Sequence, residues 1–521
     1  MLLRDVAIIG GGPAGLFAAI LLRRSYPEAR VTVYERSVPD ETFGFGVAFT
    51  RTTLDMIASA DQESFDQLKA ASVDVPPQEL RIGSDSAWSH GNAGALGVAR
   101  ATLLTVLTER ALALGADVRF GHSTSLAGVD GAELVIAADG VSSSVRAELG
   151  ESIGAHVTPG RGVFMWLGCD TQLTSNLFAP VLTRDGLFNI HCYPYSADRS
   201  TIGVEAEVET WRSAGMDAWT HATPVGDSDE RSIAYLQEVF GDVLGGARLL
   251  GNRSRWMHFR TVTVDHWHRD NVVLIGDAAH TAHYSVGAGT KMAMDDSVAL
   301  VEALTSVTST DLEGALAAYE SERRPRVERL QDLADRSRWW WESLASRVDL
   351  PVAQLMSAYM SRGGGVTSRK LVAFEQRIVR DALTAWSGED LPPDELDPES
   401  IADFVLSRPL NIGTTVLDSR VFDSTTTPLR LARARVDVRD PWSSEADAAS
   451  SRVAEVASDA EVVILSGPSG RTALLDRLQF AERARMSSAS AIGVQAAPEN
   501  EDDIVDALLA SRIDIVEWIA G

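Results

Sequence analysis

The sequence predicts an α/β fold: a Rossmann-type dinucleotide-binding domain that carries an inserted antiparallel β-sheet, followed by a small C-terminal α/β domain. Three observations predict it. A glycine-rich turn joins the first apolar run, residues 6–9, to an apolar helix. Two later apolar runs, 134–138 and 271–275, end in an aspartate–glycine and a glycine–aspartate pair, respectively. Between them, residues 150–265 are rich in β-branched and aromatic side chains and show alternating stretches.

Val6-Ala7-Ile8-Ile9 suits a buried parallel strand. Gly10-Gly11-Gly12-Pro13-Ala14-Gly15 fits G-x-G-x-x-G, Leu16 to Arg24 reads as a helix, and Val31 to Tyr34 reads as a second strand ending at Glu35. Gly10 permits the tight turn, Gly12 lets the backbone approach a pyrophosphate, and Gly15 lets the helix pack on the strand. The helix N-terminus, with Pro13 and Ala14 in its first turn, offers free N–H groups to phosphates. Glu35, followed by Arg36, can accept hydrogen bonds from a ribose. This motif alone does not choose FAD over NAD.

The two later motifs bear on that choice. Leu134 to Ala138 runs into Asp139-Gly140, followed by Ser143 and Arg146. Asn271 to Ile275 runs into Gly276-Asp277-Ala278-Ala279-His280. A loop, Gly287-Ala288-Gly289, then opens a helix near Thr290 that runs to Leu304. Taken singly, each is a strand, an Asp-bearing turn and a helix, which many α/β proteins contain. After an N-terminal G-x-G-x-x-G their order points to a flavin. An acid at a strand end can bind a ribityl hydroxyl, and a glycine loop at a helix start can aim N–H groups at a flavin ring.

Residues 312–344 are helical and highly charged, and Pro325 is expected to kink or split them. Trp339-Trp340-Trp341 reads as packing against another domain or subunit. Residues 386–400 are acidic, hold three prolines and read as a linker. Beyond it, 460–465, 491–495 and 513–517 read as strands, and 504–510 as a helix. The division expected is 1–150 and 266–345 for cofactor binding, 151–265 for substrate, 346–400 as a helical connection, and 401–521 as a structural α/β domain.

The net charge of −26 argues against nucleic acid or an anionic membrane as partner. Cys169 and Cys192 form neither a metal pattern nor a disulfide framework, so a reducing cytoplasm is expected. The apolar run 6–22 is broken by glycines and a proline and lacks a cleavage site, which disfavours a leader or a membrane span. A monomer or homodimer is expected.

The three motifs together resemble the class A flavoprotein aromatic hydroxylases of the para-hydroxybenzoate hydroxylase-like fold. The resemblance implies a Rossmann-type FAD-binding domain with an inserted β-sheet covering the substrate. It also implies that Arg100, in the context Val98-Ala99-Arg100, contacts FAD together with Phe45 and Gly46. One departure stands out: Tyr284 occupies the position where that family places a proline beside the reactive flavin edge. The variant is similar to the salicylyl-CoA 5-hydroxylase and 2-aminobenzoyl-CoA monooxygenase subgroup. The stretches 42–49, 186–195 and 252–256 resemble it as well. Some members of that subgroup carry a second, FMN-binding (β/α)₈ module related to old yellow enzyme. The tail from Leu474 to Trp518 looks like the last units of such a barrel. Only about 120 residues follow the linker, while a barrel needs about 250. Ser511-Arg512 stands where the subgroup has a phosphate-binding Gly-Arg, so a reduced remnant without FMN is expected.

The activity implied is NAD(P)H-dependent hydroxylation of an activated aromatic or aromatic-like ring by O₂ through a C4a-hydroperoxyflavin. The substrate is an aryl-CoA or a free ring acid, including a phenolic or tropone ring, with loss of CO₂ as an open branch. No metal is indicated, and no second G-x-G-x-x-G serves NAD(P)H. Candidate pocket residues are His191, Tyr193, His258, His283 and Tyr284, since a histidine can bind or deprotonate a ring hydroxyl near neutral pH. Arg253 and Arg255 are candidates for a carboxylate or CoA phosphate, and structural pairing serves equally well for them. The alternative is a non-oxygenating FAD oxidoreductase of the same fold.

Overall fold

The computed structural model describes residues 3–39, 44–91, 93–306, 311–391, 396–425 and 427–519. Thr42 and Phe43 of the 42–49 stretch, and 392–395 of the acidic linker, lie outside the described residues. The chain forms two compact units, Met1–Glu79 with Asn92–Ala334, and Leu80–Gly91 with Asp335–Gly521.

In the first unit a six-stranded sheet runs in the order His268–Arg269, Val272–Leu274, Leu134–Ala137, Asp5–Ile9, Arg30–Glu35, Asp117–Phe120. Its central pairs are parallel, with Val6 opposite both Val31 and Leu134. Val6, Ile8, Val33, Leu134, Ile136 and Val273 are buried, which is why these strands read as unbroken apolar runs. Three neighbouring strands therefore end side by side, and each ends in one of the three motifs. That end of a parallel sheet is where ligands bind in this architecture.

A second, antiparallel sheet in this unit orders Leu249–Leu250, Ala155–Cys169, Arg199–Ala206, Gly186–Ser196, Asn176–Thr183, with Met257–Val264 also paired to Ala155–Cys169. Side chains alternate across it. Met165, Leu167, Phe188, Ile190, Cys192, Ile202 and Val204 form a core on one face, with Trp211, Met216, Ile233, Leu236 and Phe240 packed on them. The last five come from the helices Val208–Ser213, Met216–Ala222 and Glu230–Phe240. Residues 150–265 thus hold three helices besides the sheet expected from their sequence. The third helix was legible: its apolar spacing is helical, and Asp229 caps it by accepting from the Ser232 N–H at 3.1 Å.

Of the two outcomes expected at Pro325, a split does not occur: the helix Leu312–Trp341 runs through it. Proline removes one backbone bond, but side chains on either side tether the helix. Before it, Arg324 donates to the Val264 carbonyl at 3.0 Å and Glu320 accepts from the Trp267 N–H at 2.9 Å; after it, Gln331 donates to the Val262 carbonyl at 2.9 Å. Tertiary contacts here override the local penalty.

In the second unit four parallel strands, Leu431–Arg435, Val462–Ser466, Ala491–Ala496 and Ile515–Trp518, lie side by side in chain order. The helices Ser444–Ala457, Arg471–Met486 and Glu501–Leu509 connect them. One sheet face, Val462, Ile464 and Ile515, packs with Phe422 and Leu429 and with the hairpin residues Leu410 and Leu417. Ser511 has φ +56°, the backbone that glycine favours. Arg512 is buried, with its Nε 3.7 Å from Glu482, which also pairs with Arg347 at 2.5 Å. Its guanidinium thus lies in an internal cluster of charges with Glu482 and Arg347. The three tryptophans are buried, and the rings of Trp340 and Trp341 lie 5.9 and 6.4 Å from Tyr359 of the same unit.

Candidate active site

The glycine turn is built as its spacing requires. Gly10 has φ +113°, and a Cβ there would lie 2.2 Å from the Ala138 carbonyl oxygen. A Cβ on Gly15 would lie 2.0 Å from the Gly10 oxygen. A Cβ on Gly12 would meet nothing within 4 Å, so open space lies in front of it. The helix Pro13–Ser25 begins there with no side-chain cap, leaving its first N–H groups for a ligand. Glu35 accepts from the Gly11 and Ser37 N–H groups, each at 2.7 Å, which fixes its carboxylate beside the turn. Arg36 follows it and is exposed.

Asp139 uses one oxygen to cap the helix Ser144–Leu149, accepting from the Ser144 and Val145 N–H groups at 2.7 and 3.2 Å. Its other oxygen is buried with no partner in the protein. Arg146 ties this motif to the next, donating to the Val141 and Ala278 carbonyls at 2.6 and 2.9 Å. Asp277 is open to solvent yet deep within the unit, as a group on the floor of a cleft must be. Desolvation pushes its pKa up, and His280, Arg100 and Arg146 oppose that. Burial likewise pushes the Arg100 guanidinium down, with Asp277 and Tyr193 opposing. Gly287 (φ +63°) and Gly289 again face open space, and Ala288 begins the helix Gly289–Thr305 without a side-chain cap, leaving the N–H of Thr290 unused by the first turn.

One buried cluster supports that loop. Asp296 accepts from the Gly276 N–H at 2.8 Å, from His280 Nε2 at 2.7 Å and from Arg323 Nε at 2.8 Å. Ser297 donates to the Ala14 carbonyl at 2.8 Å and so joins the two ligand-facing helices.

The sheet face opposite its core looks onto a second group of residues. Strand register places Phe164 beside Glu205 and Asn189, and Trp166 beside Gly203 and His191. A Cβ on Gly203 would lie 3.0 Å from the Trp166 ring, so glycine makes room for that ring. Tyr284 lies among aromatics, with centroid distances of 5.0 Å to Phe164, 5.3 Å to Trp166, 5.9 Å to Phe259 and 4.2 Å to His283. His283 is held by a 2.8 Å contact between Nδ1 and the Ser285 hydroxyl.

Not every candidate joins this group. His191 and Tyr193 share the face, 5.9 Å apart, but the Tyr193 hydroxyl donates to the Gly46 carbonyl at 3.0 Å. Burial pushes Tyr193 up to about 12, so it stays protonated near neutral pH and is no base. Tyr193→Phe is therefore expected to leave the pH profile of turnover unchanged, which a rate–pH series checks. Gly46 also donates to Thr201 Oγ1 at 2.9 Å, and a Cβ on Gly168 would lie 2.5 Å from the Phe45 ring, which places 45–46 over the sheet. His258 is exposed, with Nδ1 donating to the Gly160 and Gly162 carbonyls at 3.1 Å. It alternates with Phe259 along its strand and so faces away from Tyr284, because side chains switch faces at each residue. Arg255 donates to the Thr220 carbonyl at 2.7 Å, a structural use. Phe164, Trp166, Phe259, Asn189 and Glu205 were not singled out from sequence, since only strand register brings them together.

Comparison with known proteins agrees with this geometry. Residues 8–40 match an NAD(P)-binding Rossmann-like domain, and 92–334 match an FAD binding domain. A salicyloyl-CoA 5-hydroxylase from Streptomyces sp is 35% identical over 98% of this chain and 99% of its own length. The chain belongs to the class A flavoprotein monooxygenases. A 3-hydroxy-4-methyl-anthranilyl-[aryl-carrier protein] 5-monooxygenase from Streptosporangium sibiricum is 36% identical over 70% of this chain and 96% of its own. The crystal structure of 2-methyl-3-hydroxypyridine-5-carboxylic acid oxygenase shares the fold, with a TM-score of 0.52 over 73% of this chain and 97% of that one, at 21% identity.

This flavoprotein monooxygenase thus uses FAD, with NAD(P)H and O₂ as co-substrates. The site fits the cofactor: the space before Gly12, Gly287 and Gly289, the two uncapped helix starts and the unpartnered Asp139 oxygen match a dinucleotide's phosphates, ring carbonyls and hydroxyls. Among the described residues no helix is long and apolar enough to cross a membrane.

Proposed function

We propose that this monooxygenase hydroxylates the ring of an aromatic acyl thioester bearing a hydroxyl or amino group. The observation that carries the reading is the alignment with a salicyloyl-CoA 5-hydroxylase along essentially both whole chains, tail included. The second relative, named for an anthranilyl group on an aryl-carrier protein, supports the same class. A thioester has no free carboxylate to expel, so hydroxylation with CO₂ loss is confined to the free-acid alternative.

Bound FAD, once reduced by NAD(P)H, would supply the activated oxygen. The chain's residues would do the rest. Gly10, Gly12, Pro13, Ala14, Gly15, Glu35 and Arg36 would hold the adenosine and pyrophosphate side, and Asp139, Asp277 and Arg100 the ribityl chain. Gly276, Gly287, Ala288, Gly289, Thr290, Phe45 and Gly46 would border the flavin ring. Phe164, Trp166, Phe259 and Tyr284 would pack the substrate ring and exclude water. Tyr284→Ala is expected to cut hydroxylated product on the order of 100-fold while FAD content stays unchanged, because a ring misplaced by about 1 Å loses alignment. Product and flavin assays on one preparation check this.

We read the four-stranded parallel array of the second unit as a remnant of a (β/α)₈ barrel, structural and without FMN. FMN released on denaturation in amounts matching FAD would end that reading. The substrate class is tested by NADH and NADPH oxidation with 2-hydroxybenzoyl-CoA, 2-aminobenzoyl-CoA and their free acids. Stimulation and hydroxylated product from the thioesters alone are expected; product from the free acids alone overturns the proposal.

A further inference from the structure

Four aromatic side chains around the ligand-facing side of the antiparallel sheet, Phe164, Trp166, Phe259 and Tyr284, are only half-buried. Apolar surface kept open in this way marks a ligand-binding face. Trp166 is the most closely held. Met165 and Leu167 on either side of it are buried in the sheet's core, so strand alternation turns Trp166 to the other face. Its carbonyl accepts from the Ser254 hydroxyl at 2.5 Å. Its ring meets Phe164 and Tyr284 edge to face, at centroid distances of 6.2 and 5.3 Å. Gly203 lies opposite it on the neighbouring strand, and a Cβ there would be 3.0, 3.5 and 3.5 Å from three carbons in the six-membered half of the indole. Ile202 and Val204 are buried in the core, so a side chain at 203 would project on the ligand side. Glycine inside a strand marks a place where another group approaches the backbone closely. Here that group is the indole, which leans across the strand over Gly203.

We propose that Trp166, seated on Gly203, is the wall that restricts this enzyme to acyl groups with a single aromatic ring, a reading that rests on the proposed aryl substrate. Phe164 and Tyr284 hold the indole at its edges and Gly203 gives it a seat, so the ring does not swing aside. A single substrate ring packs on it, while a second, fused ring would have to enter the space that the six-membered half of the indole fills. Interiors packed this closely do not absorb an added ring without moving a side chain or the backbone. Trp166 is thereby the specificity-determining residue for ring size, and Gly203 is the positioning residue that sets where its wall stands.

The test uses the FAD-loaded full chain and compares kcat/KM, per bound FAD, for 2-hydroxybenzoyl-CoA and its fused-ring analogue 1-hydroxy-2-naphthoyl-CoA. Wild type is expected to favour the single ring by about 100-fold. Trp166→Ala is expected to erase or reverse that preference. Gly203→Ala, whose methyl would push the indole outward, is expected to cut kcat/KM for 2-hydroxybenzoyl-CoA about tenfold. In the Trp166→Ala background the same methyl meets no indole, so its effect should vanish. A wild type that accepts both thioesters equally overturns the proposal, as does a preference that survives Trp166→Ala. An indole that only packs the fold would lower activity on both thioesters alike and leave their ratio unchanged, which also overturns it. If wild type turns over neither thioester, the substrate reading fails, and phenol and 2-naphthol then judge the wall, with binding followed by flavin absorbance. A preference for phenol that Trp166→Ala erases supports it; an unchanged preference, or binding of neither, overturns it. Trp166→Phe, which keeps one ring on the strand and clears the space over Gly203, replaces Trp166→Ala in every comparison should the latter not fold.

Discussion

Gly10→Ala is expected to yield protein without FAD and with a markedly lower Tm, whereas Gly12→Ala is expected to lose FAD affinity alone. The two differ in what a methyl group would meet. At Gly10 it would press on the Ala138 carbonyl oxygen at 2.2 Å and the Asp139 nitrogen at 2.8 Å, at a backbone φ of +113° that alanine rarely adopts. Both are rigid backbone just beyond the strand Leu134–Ala137, which pairs with Asp5–Ile9. Relief requires moving the strand end that positions Asp139. Strain of this kind and the clash together cost about 3 kcal/mol or more. At Gly12, φ is −76° and the methyl would meet no protein atom within 4 Å, so the apoprotein should be as stable as wild type. Its methyl would instead occupy the space assigned to the pyrophosphate, for an expected affinity loss on the order of 10-fold to 100-fold. FAD-to-protein ratios and melting of both apoproteins check the pair. Equal destabilisation by the two substitutions would remove the cofactor assignment of that space.

Asp296→Ala is expected to destabilise the first unit by about 3–5 kcal/mol, the cost of removing one partner from a buried ion pair. It would strand the Arg323 guanidinium, the His280 ring and the Gly276 N–H, all of which converge on Asp296. The Gly276 turn would lose the anchor that sets Asp277 in the cleft, so FAD should be lost as well. A pH dependence follows. Desolvation works to raise the Asp296 pKa, but His280, Arg323 and the Gly276 N–H outweigh it and hold the pKa below the usual carboxylate range. A carboxylate depressed on folding gives stability that is complete above its unfolded pKa and lost as pH falls through its folded one. Wild-type apoprotein should therefore lose stability on acidification in a step that Asp296→Asn lacks, as urea unfolding at a series of acidic pH values would show.

What the sequence made legible was local. The Gly10 to Gly15 turn, Asp139 and the 276–290 loop each depend on spacing within a few residues, and their placement at adjacent strand ends follows from parallel pairing. Tyr284 was legible as a departure from the resembled pattern, but its surroundings were not. Phe164 and Trp166 come from one strand, Phe259 from another, and a register shift between Pro159 and Val163 sets how those two strands meet. No periodicity reports such a shift. His258 was misplaced for the same reason, since the face it takes depends on register. Arg512 shows the same limit: its burial beside Glu482 is decided by packing that sequence spacing does not record.

The most direct measurement is oxygen labelling. The FAD-loaded enzyme is turned over with 2-hydroxybenzoyl-CoA and NAD(P)H under ¹⁸O₂, and the acyl product is analysed by mass. One labelled oxygen in the ring for each coupled NAD(P)H oxidised is the expected result. Oxygen drawn from water, or NAD(P)H oxidation that yields only hydrogen peroxide with this thioester, its amino analogue and their free acids, would contradict a ring-hydroxylating monooxygenase.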